Sequence, residues 1–426
     1  MSAGRLPGAF WRLWAGETLS MSGGQVAAIA IPLVAVDRLH AGSFGMGLLG
    51  ASASFAPLVF GLHAGVVADT HSRKRIMIAC HVLRAVLIAA AVALIWTDHL
   101  RMWALASIVF LIGALELFIF SALTAVVPSL VPSRHLDRAN AWVQGMENTG
   151  EVVGPGLAGF VIARLGLVGA LVVNLGGYLT AATIATRLPP RIHPPAEEKV
   201  HLLSGLRIIR DHRTLRGIAA TSMFFNVFSG GFFALYILFL VRTLDLDAGR
   251  IGLVGMVGGL GGLLGAVLAP RLIGRLGPGR VLALGYTVPG LGGLVITTAE
   301  VAGRVPGWIV AGAGLAIWSC FVVILVVDGV GIYQRAVPDS HLGRLNSAMR
   351  FLTWGVEPLG AMAAGTFAAA FGLGPVMVTL AAGCAASGIV GACWGVHRYT
   401  HPVDAASTDD SYEGTTDEPH HAYAAV

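Results

Sequence analysis

Eight ionisable side chains stand inside otherwise apolar stretches of this 426-residue chain: Glu17, Arg84, Glu116, Glu147, Glu151, Asp328, Arg350 and Glu357. A charge at the centre of a bilayer costs about 2.5–3.5 kcal/mol on insertion scales, so residues of this kind carry function by default. Carboxylates in that setting suit one task above others, taking a proton from one side and releasing it to the other. Counted from residue 139 at about 1.5 Å per residue, Glu151 lies roughly 18 Å into its stretch, close to the midplane. Glu116 is also central, and Glu147 lies one turn before Glu151, where a single proton relieves the repulsion of two like charges on one helix face. Glu116, Glu147, Glu151 and Glu357 are therefore the proton-coupling candidates. The alternative for each is a neutral hydrogen-bonded acid, or a buried pair with Arg84 or Arg350. Glu17, Asp328 and Arg350 fall near the ends of their stretches, where a latch or packing role is the simpler expectation.

The second chemical feature is a run of rings, Phe224, Phe225, Phe228, Phe232, Phe233, Tyr236 and Phe239. Phe228, Phe232 and Tyr236 step by four and form one helical stripe. Such a stripe can receive a large apolar molecule, or it can pack against lipid or a protein core. Asn226 and Trp354 are further candidates for substrate contact.

The elements that must position these groups follow from composition. Hydrophobic residues make up 55% of the chain and Asp, Glu, Lys and Arg only 12%, against about 25% charged in a soluble domain. That excludes a soluble enzyme, a collagen-like fibre despite 57 glycines, and a disordered scaffold. The net charge of +5 is nearly all arginine, without a lysine-rich run interleaved with aromatics, so no nucleic acid partner is expected. Cys80, Cys320, Cys384 and Cys393 lie in apolar segments without metal-ligand spacing and read as small core residues. No metal or cofactor is expected.

About 20 apolar helical residues cross a bilayer. Twelve stretches qualify, near 13–37, 46–68, 76–96, 102–127, 140–164, 167–187, 217–241, 250–274, 280–299, 305–330, 346–371 and 374–396. The first is too long for a cleavable signal core and reads as a retained span. Segments on the side of the N-terminus hold 20 Lys and Arg residues and the opposite loops 6, which places both termini in the cytoplasm. Residues 188–216 form a connection in which Leu202, Leu206 and Ile209 recur at helical spacing beside Arg207, Arg210 and Arg213. A short helix on the inner leaflet and a solvated linker helix both fit that pattern. The acidic tail 397–426 is expected to be disordered.

The halves echo each other. Val131-Pro132, His135-Leu136, Arg138, Asn140, Glu151, Gly154 and Ala158-Gly159 all recur 206 residues later, and Gly47 and Gly50 recur 205 residues later. The chain is a duplicated six-span unit: residues 1–187 and 217–396 form two pseudo-symmetric six-helix bundles of an all-α membrane protein with twelve transmembrane helices.

At these motifs the sequence resembles the major facilitator superfamily, whose halves are related by such a parallel repeat. Gly65-Val-Val-Ala-Asp69-Thr-His-Ser-Arg73-Lys74 is similar to the family's cytoplasmic signature between spans two and three, departing from it at Thr70 and Ser72. The resemblance implies a gating latch built from Gly65, Asp69, Arg73 and Lys74; ordinary positive-inside anchoring is the other reading. Gly150, Gly154, Pro155 and Gly159 resemble the Gly-Pro motif of the antiporter branch. They let helices approach closely and kink one of them, or pack statically. The run Gly258, Gly259, Gly261, Gly262 and Gly265 reads as packing, not as a nucleotide loop. With Leu136-x-x-Ala139-Asn140, the pattern looks most like bacterial macrolide and siderophore exporters. In that family span seven borders the central cavity, so Phe228, Phe232 and Tyr236 could receive a large apolar substrate, with lipid-facing or core packing the commoner reading for such a stripe; Asn226 and Trp354 are further cavity candidates. Related exporters often carry an Asp in span one, where Gly24 stands here.

The resemblance implies a monomeric secondary exporter in a bacterial cell membrane, expelling a small amphipathic molecule in exchange for protons. Importer, facilitator and lysophospholipid flippase stay open on the same fold. A membrane-embedded enzyme would need a nucleophile or metal motif, and neither Gly-x-Ser-x-Gly nor His-Glu-x-x-His occurs.

Overall fold

The computed structural model describes residues 6–188, 202–301, 305–337 and 339–399. The acidic tail from residue 400 and most of the proline-rich part of the linker lie outside these residues. Among the described residues thirteen α-helices follow one another: α1 (Gly8–Asp37), α2 (Ser43–Thr70), α3 (Arg73–Trp96), α4 (Met102–Leu130), α5 (Leu136–Thr186), α6 (Leu202–Asp211), α7 (Arg213–Arg242), α8 (Ala248–Leu276), α9 (Pro278–Thr298), α10 (Gly307–Ala336), α11 (Asp339–Trp354), α12 (Glu357–Phe371) and α13 (Leu373–Cys393). No strand occurs among the described residues.

Ten helical stretches are long and apolar enough to cross a membrane, and the chain is a multi-pass membrane protein. Their outer surfaces carry exposed Val86, Phe160, Leu264, Val326 and Phe371, as lipid contact requires. With no water to satisfy the backbone, helices are the only elements an open bundle can use there. Helix α5 has 51 residues, about 76 Å at 1.5 Å per residue, against a hydrocarbon core of about 30 Å. It is interrupted at Gly166 (φ 71°, ψ 178°), a conformation essentially confined to glycine. Gly166 falls in the gap expected between the stretches 140–164 and 167–187, and the backbone through Pro155 stays helical. The stretch expected over 346–371 is two short helices, α11 and α12, separated at Gly355 and Val356.

The duplication is visible in the backbone. Gly166 (φ 71°) has its repeat mate in Gly372 (φ 91°), and His40 (φ 48°) has its mate in Asp245 (φ 50°). Around the second pair the same cap repeats: the Ala41 amide donates to the Ala35 carbonyl at 2.9 Å and the Leu246 amide to the Leu240 carbonyl at 3.1 Å. All four positions lie at the end of the bundle away from the start of α1, called the far face below; the opposite end is the near face.

Helix α6 turns its apolar side onto α11. Ile209 is buried in one cluster with Leu345, Ala348 and Met349, and Gly205 fits against the Arg344 carbonyl and Ala348. The linker helix is thus packed on the second half through this face. Gly261 and Gly265 of α8 sit against the backbone of Ala316 and Cys320 on α10, as expected of packing glycines. Cys80, Cys320 and Cys384 are buried, whereas Cys393 is exposed.

Candidate functional site

The first half encloses a polar cluster in its core. His81 on α3 and Glu17 on α1 meet at 3.0 Å between Nε2 and Oε1, both buried. One turn on from His81, Arg84 donates to the Tyr178 hydroxyl at 2.8 Å, its guanidinium lying 4.2 Å from the centre of that ring. The same guanidinium is 3.5 Å from Glu116 on α4 and lies in the field of Glu17. Four helical segments, α1, α3, α4 and the second part of α5, therefore converge on one set of ionisable groups. The helical period places them: His81 and Arg84 are three residues apart on one face of α3. Glycines bring α1 and α5 close enough for it, since Gly23 sits against Asn174 and Gly177 against the Leu19 carbonyl. Asn174 is fully buried with neither amide atom hydrogen-bonded.

Of the residues expected to couple protons, Glu116 thus joins this cluster as a partner of Arg84, with its side chain 63% exposed. Phe120, one turn further along the same face of α4, meets the Arg350 guanidinium of α11 at 5.5 Å, and Arg350 also covers Trp354 at 4.7 Å. Glu116 therefore faces the place where the halves meet at mid-depth. Glu357 opens α12, within hydrogen-bonding reach of Ser54 on α2, and its backbone packs on Gly230 of α7. The side chains of Glu147 and Glu151, like those of Gly65 and Asp69 in the latch motif, lie outside the described residues. Arg73 is half-buried. Lys74 donates to the Thr186 and Leu188 carbonyls, both at 2.6 Å, capping the end of α5 where carbonyls lack helical partners. That contact lies within the first half, not across the halves.

The ring stripe of α7 has a mixed placement. Phe232 is fully buried and stacks on Trp318 at 5.1 Å, with Tyr236 stacked beyond it at 6.2 Å. Phe228 is half-buried against Gly383 of α13. Phe232 and Tyr236 therefore belong to the core of the second half. Asn226 is half-buried and donates to the Ser222 carbonyl at 2.9 Å, and Trp354 is exposed.

The Gly-Pro motif serves both sides of α5. Gly154 fits against Gln25 of α1, with Gly150 beside the same side chain, whereas Pro155 and Gly159 face Gly252 and Gly255 of α8 in the other half. A Cβ on Gly159 would lie 2.8 Å from the Gly252 Cα, and one on Gly47 of α2 would lie 2.7 Å from the Gly365 Cα of α12. The two crossings are symmetry mates, because Gly252 is Gly47 shifted by 205 and Gly365 is Gly159 shifted by 206. Both lie toward the far face. There Arg242, at the end of α7, donates to the Ala41 carbonyl at 2.9 Å. At this end the halves are thus joined backbone to backbone and through Arg242.

The family model described as Major Facilitator Superfamily matches residues 13–356. The chain belongs to this superfamily. Two bacterial relatives match over part of their length. They are an uncharacterized MFS-type transporter, YfiS, of Bacillus subtilis (25% identical, 46% of this chain and 48% of that protein) and Macrolide efflux protein A of Streptococcus pyogenes (26%, 42% and 45%). The chain spans about half the length of each. The Enterobactin exporter EntS of Escherichia coli O1:K1 is 26% identical over 84% of this chain and 83% of its own. Among solved structures, a bacterial homologue of the iron transporter ferroportin in its inward-facing state superposes with a TM-score of 0.70 at 19% identity, covering 91% of this chain and 98% of the other. The outward-facing state of a bacterial ferroportin homologue gives 0.59. The facilitator fold is thereby established.

His81, Tyr178 and Asn174 were not legible as site residues from composition and depth. His81 could have been found from its position three residues before Arg84, in a span whose other inward-facing residues are apolar.

Proposed function

We propose that this facilitator is a secondary active exporter that expels a small amphipathic molecule by alternating access, in exchange for protons. The observation that carries the reading is the symmetric pair of glycine crossings, Gly47 with Gly365 and Gly159 with Gly252. Contacts of this kind are all-or-none seams between two rigid bundles, and rocking about them opens one face as the other closes. In this reading α5 contributes two crossings on either side of Gly166, and α11 with α12 together contribute one. That makes twelve, in two six-helix bundles of residues 1–187 and 217–396 joined by the linker 188–216. The arginine asymmetry supports a cytoplasmic near face with both termini there, and in this reading the closed far face is extracellular. The better superposition on an inward-facing structure supports that orientation of the cycle.

Export is supported by the names of the enterobactin exporter and the macrolide efflux protein and by the Gly-Pro motif. Arg350 and Trp354, which meet Phe120 between the halves, with Glu116 one turn from Phe120 and the α7 residues Asn226 and Phe228, provide charge and apolar surface for an amphipathic substrate in this reading. Phe232 and Tyr236 back that wall. Glu116, Glu357, Glu151 and Glu147 are the acids available for coupling, and Gly65, Asp69, Arg73 and Lys74 form the near-face latch. The protein acts as a monomer.

Uptake of erythromycin and enterobactin into everted membrane vesicles tests the proposal. Accumulation that collapses on addition of a protonophore is expected. Accumulation insensitive to the gradient, or movement only in the opposite direction, contradicts it.

A further inference from the structure

Two buried polar bridges tie together the first and third helices of the two halves. In the first half, His81 on α3 meets Glu17 on α1 at 3.0 Å. In the second, the Ser222 hydroxyl on α7 meets the Tyr286 hydroxyl on α9 at 2.5 Å. The partners are 64 residues apart in both, and a shift of 205 residues carries Glu17 onto Ser222 and His81 onto Tyr286. The same shift relates Gly47 to Gly252 and His40 to Asp245. One position of the ancestral unit thus occurs twice, filled once with an acid and a base and once with two neutral hydroxyls.

The second half serves as an internal control. Its neutral pair bridges the helices, with Ser387 donating to the Tyr286 carbonyl at 3.0 Å, so bridging does not require ionisable groups. Two ionisable groups buried in the first half are costly unless they serve something else.

Charge counting says what that is. Glu17 and Glu116 share one guanidinium, Arg84. With His81 neutral the set carries a net charge of minus one; with His81 protonated it carries none. The Glu116 side chain is 63% exposed and screened by water, so the local gain is confined to the Glu17–His81 pair, which a proton on His81 makes neutral. When the His81 Nε2–H donates to Glu17, Nδ1 holds a free lone pair, and that atom is buried with no hydrogen-bond partner. Among the described residues the remaining titratable neighbours are Cys80 on α3, beside Arg84, and Tyr178 on α5. The described side chains of α2 include none, and those of α7 (Arg213, Arg216, Tyr236 and Arg242) stand six or more residues along from the level of Ser222.

We infer that the Glu17–His81 pair binds the proton this transporter exchanges, and that Arg84 conveys its charge state to Glu116. The step is balanced by one proton. His81 Nδ1 takes it from water, the imidazolium neutralises Glu17, and the guanidinium turns wholly to Glu116. Loss of the proton to water reverses each change. Because Glu116 lies one turn from Phe120, which meets Arg350 of the other half, the pairing acts where the halves meet. The pair occupies span one and its neighbour, in place of the acid absent at Gly24. This inference rests on the proton-exchange reading above and names where the proton sits.

The test uses the full chain in lipid nanodiscs, labelled with ring-15N histidine, with the His81 signal assigned by difference against the double variant Glu17→Ser, His81→Tyr. That variant transplants the second half's own bridge. The wild-type His81 signal is expected to take both the neutral and the imidazolium position over the pH range in which the protein stays folded. In everted vesicles the double variant, monodisperse by size exclusion, is expected to lose gradient stimulation of erythromycin uptake. A His81 signal fixed in one protonation form, or a folded double variant that keeps its gradient stimulation, overturns the inference. Wild-type vesicles lacking any gradient dependence contradict the exchange reading instead, and the His81 titration still decides the site. If the double variant does not fold, the single variant His81→Gln supplies the assignment, and the His81 signal decides.

Discussion

Replacing Gly159 by Ala puts one methyl group into the seam between α5 and α8. The new Cβ would sit 2.8 Å from the Gly252 Cα and 3.0 Å from the Ala248 carbonyl oxygen. Non-bonded carbons rest at about 3.5–4.0 Å, so the helices must part by roughly 0.7–1.2 Å at that point. Overpacking of this kind costs about 1–3 kcal/mol. The cost falls only on the state in which the far face is closed, so it shifts the balance of conformations by about 5- to 150-fold toward far-face opening. Spin labels at His99 and Glu300, exposed on the far-face connections of the two halves, report the distance by electron–electron double resonance. A second pair at Arg134 and Arg275, exposed on the near face, reports the opposite end. Gly159→Ala is expected to lengthen the first distance and shorten the second, and its symmetry mate Gly365→Ala to do the same. Unchanged distributions at both faces in both variants would refute the rocking argument, since a methyl group absorbed without movement means the seam is not a tight two-state contact.

Three further outcomes follow from individual contacts. Gly166→Ala is expected to lower stability by about 1–3 kcal/mol, because φ 71° with ψ 178° is strained for any residue with a Cβ; thermal unfolding in detergent measures it. Lys74→Ala removes two charge-assisted hydrogen bonds to the end of α5, which are worth about 1.5–3 kcal/mol each at most, and is expected to lower the unfolding temperature with faster proteolysis after residue 186. Phe232→Ala is expected to cost about 3–5 kcal/mol as a core cavity, whereas Trp354→Ala, exposed between the halves, is expected to leave unfolding nearly unchanged while altering the spectrum of exported compounds.

The architecture was legible because duplication writes itself twice. Identities recurring at one fixed offset announce two equivalent bundles, and the glycine breaks at Gly166 and Gly372 fall in the gaps between apolar stretches. The interruption at Gly355 and Val356 was not legible, since apolar character continues across it and only the backbone reveals the break. The Gly-Pro motif pointed to close packing, but not to the fact that one helix presents Gly154 to its own half and Gly159 to the other. For the site, depth alone directed attention to Glu116 and Glu151 and placed Glu17 among end residues. Glu17 becomes central only because His81, on a helix remote from it in the chain, reaches it. A ring stripe at four-residue spacing is equally good for a cavity wall and a core, and Trp318, from α10, is what draws Phe232 inside.

The central claim is that protons move against the exported molecule. In proteoliposomes holding purified protein and a trapped pH-sensitive dye, an imposed erythromycin gradient should drive proton movement in the opposite direction without ATP, and Glu116→Gln should abolish it. Erythromycin flux with no accompanying proton movement, or with protons travelling the same way, would contradict the account.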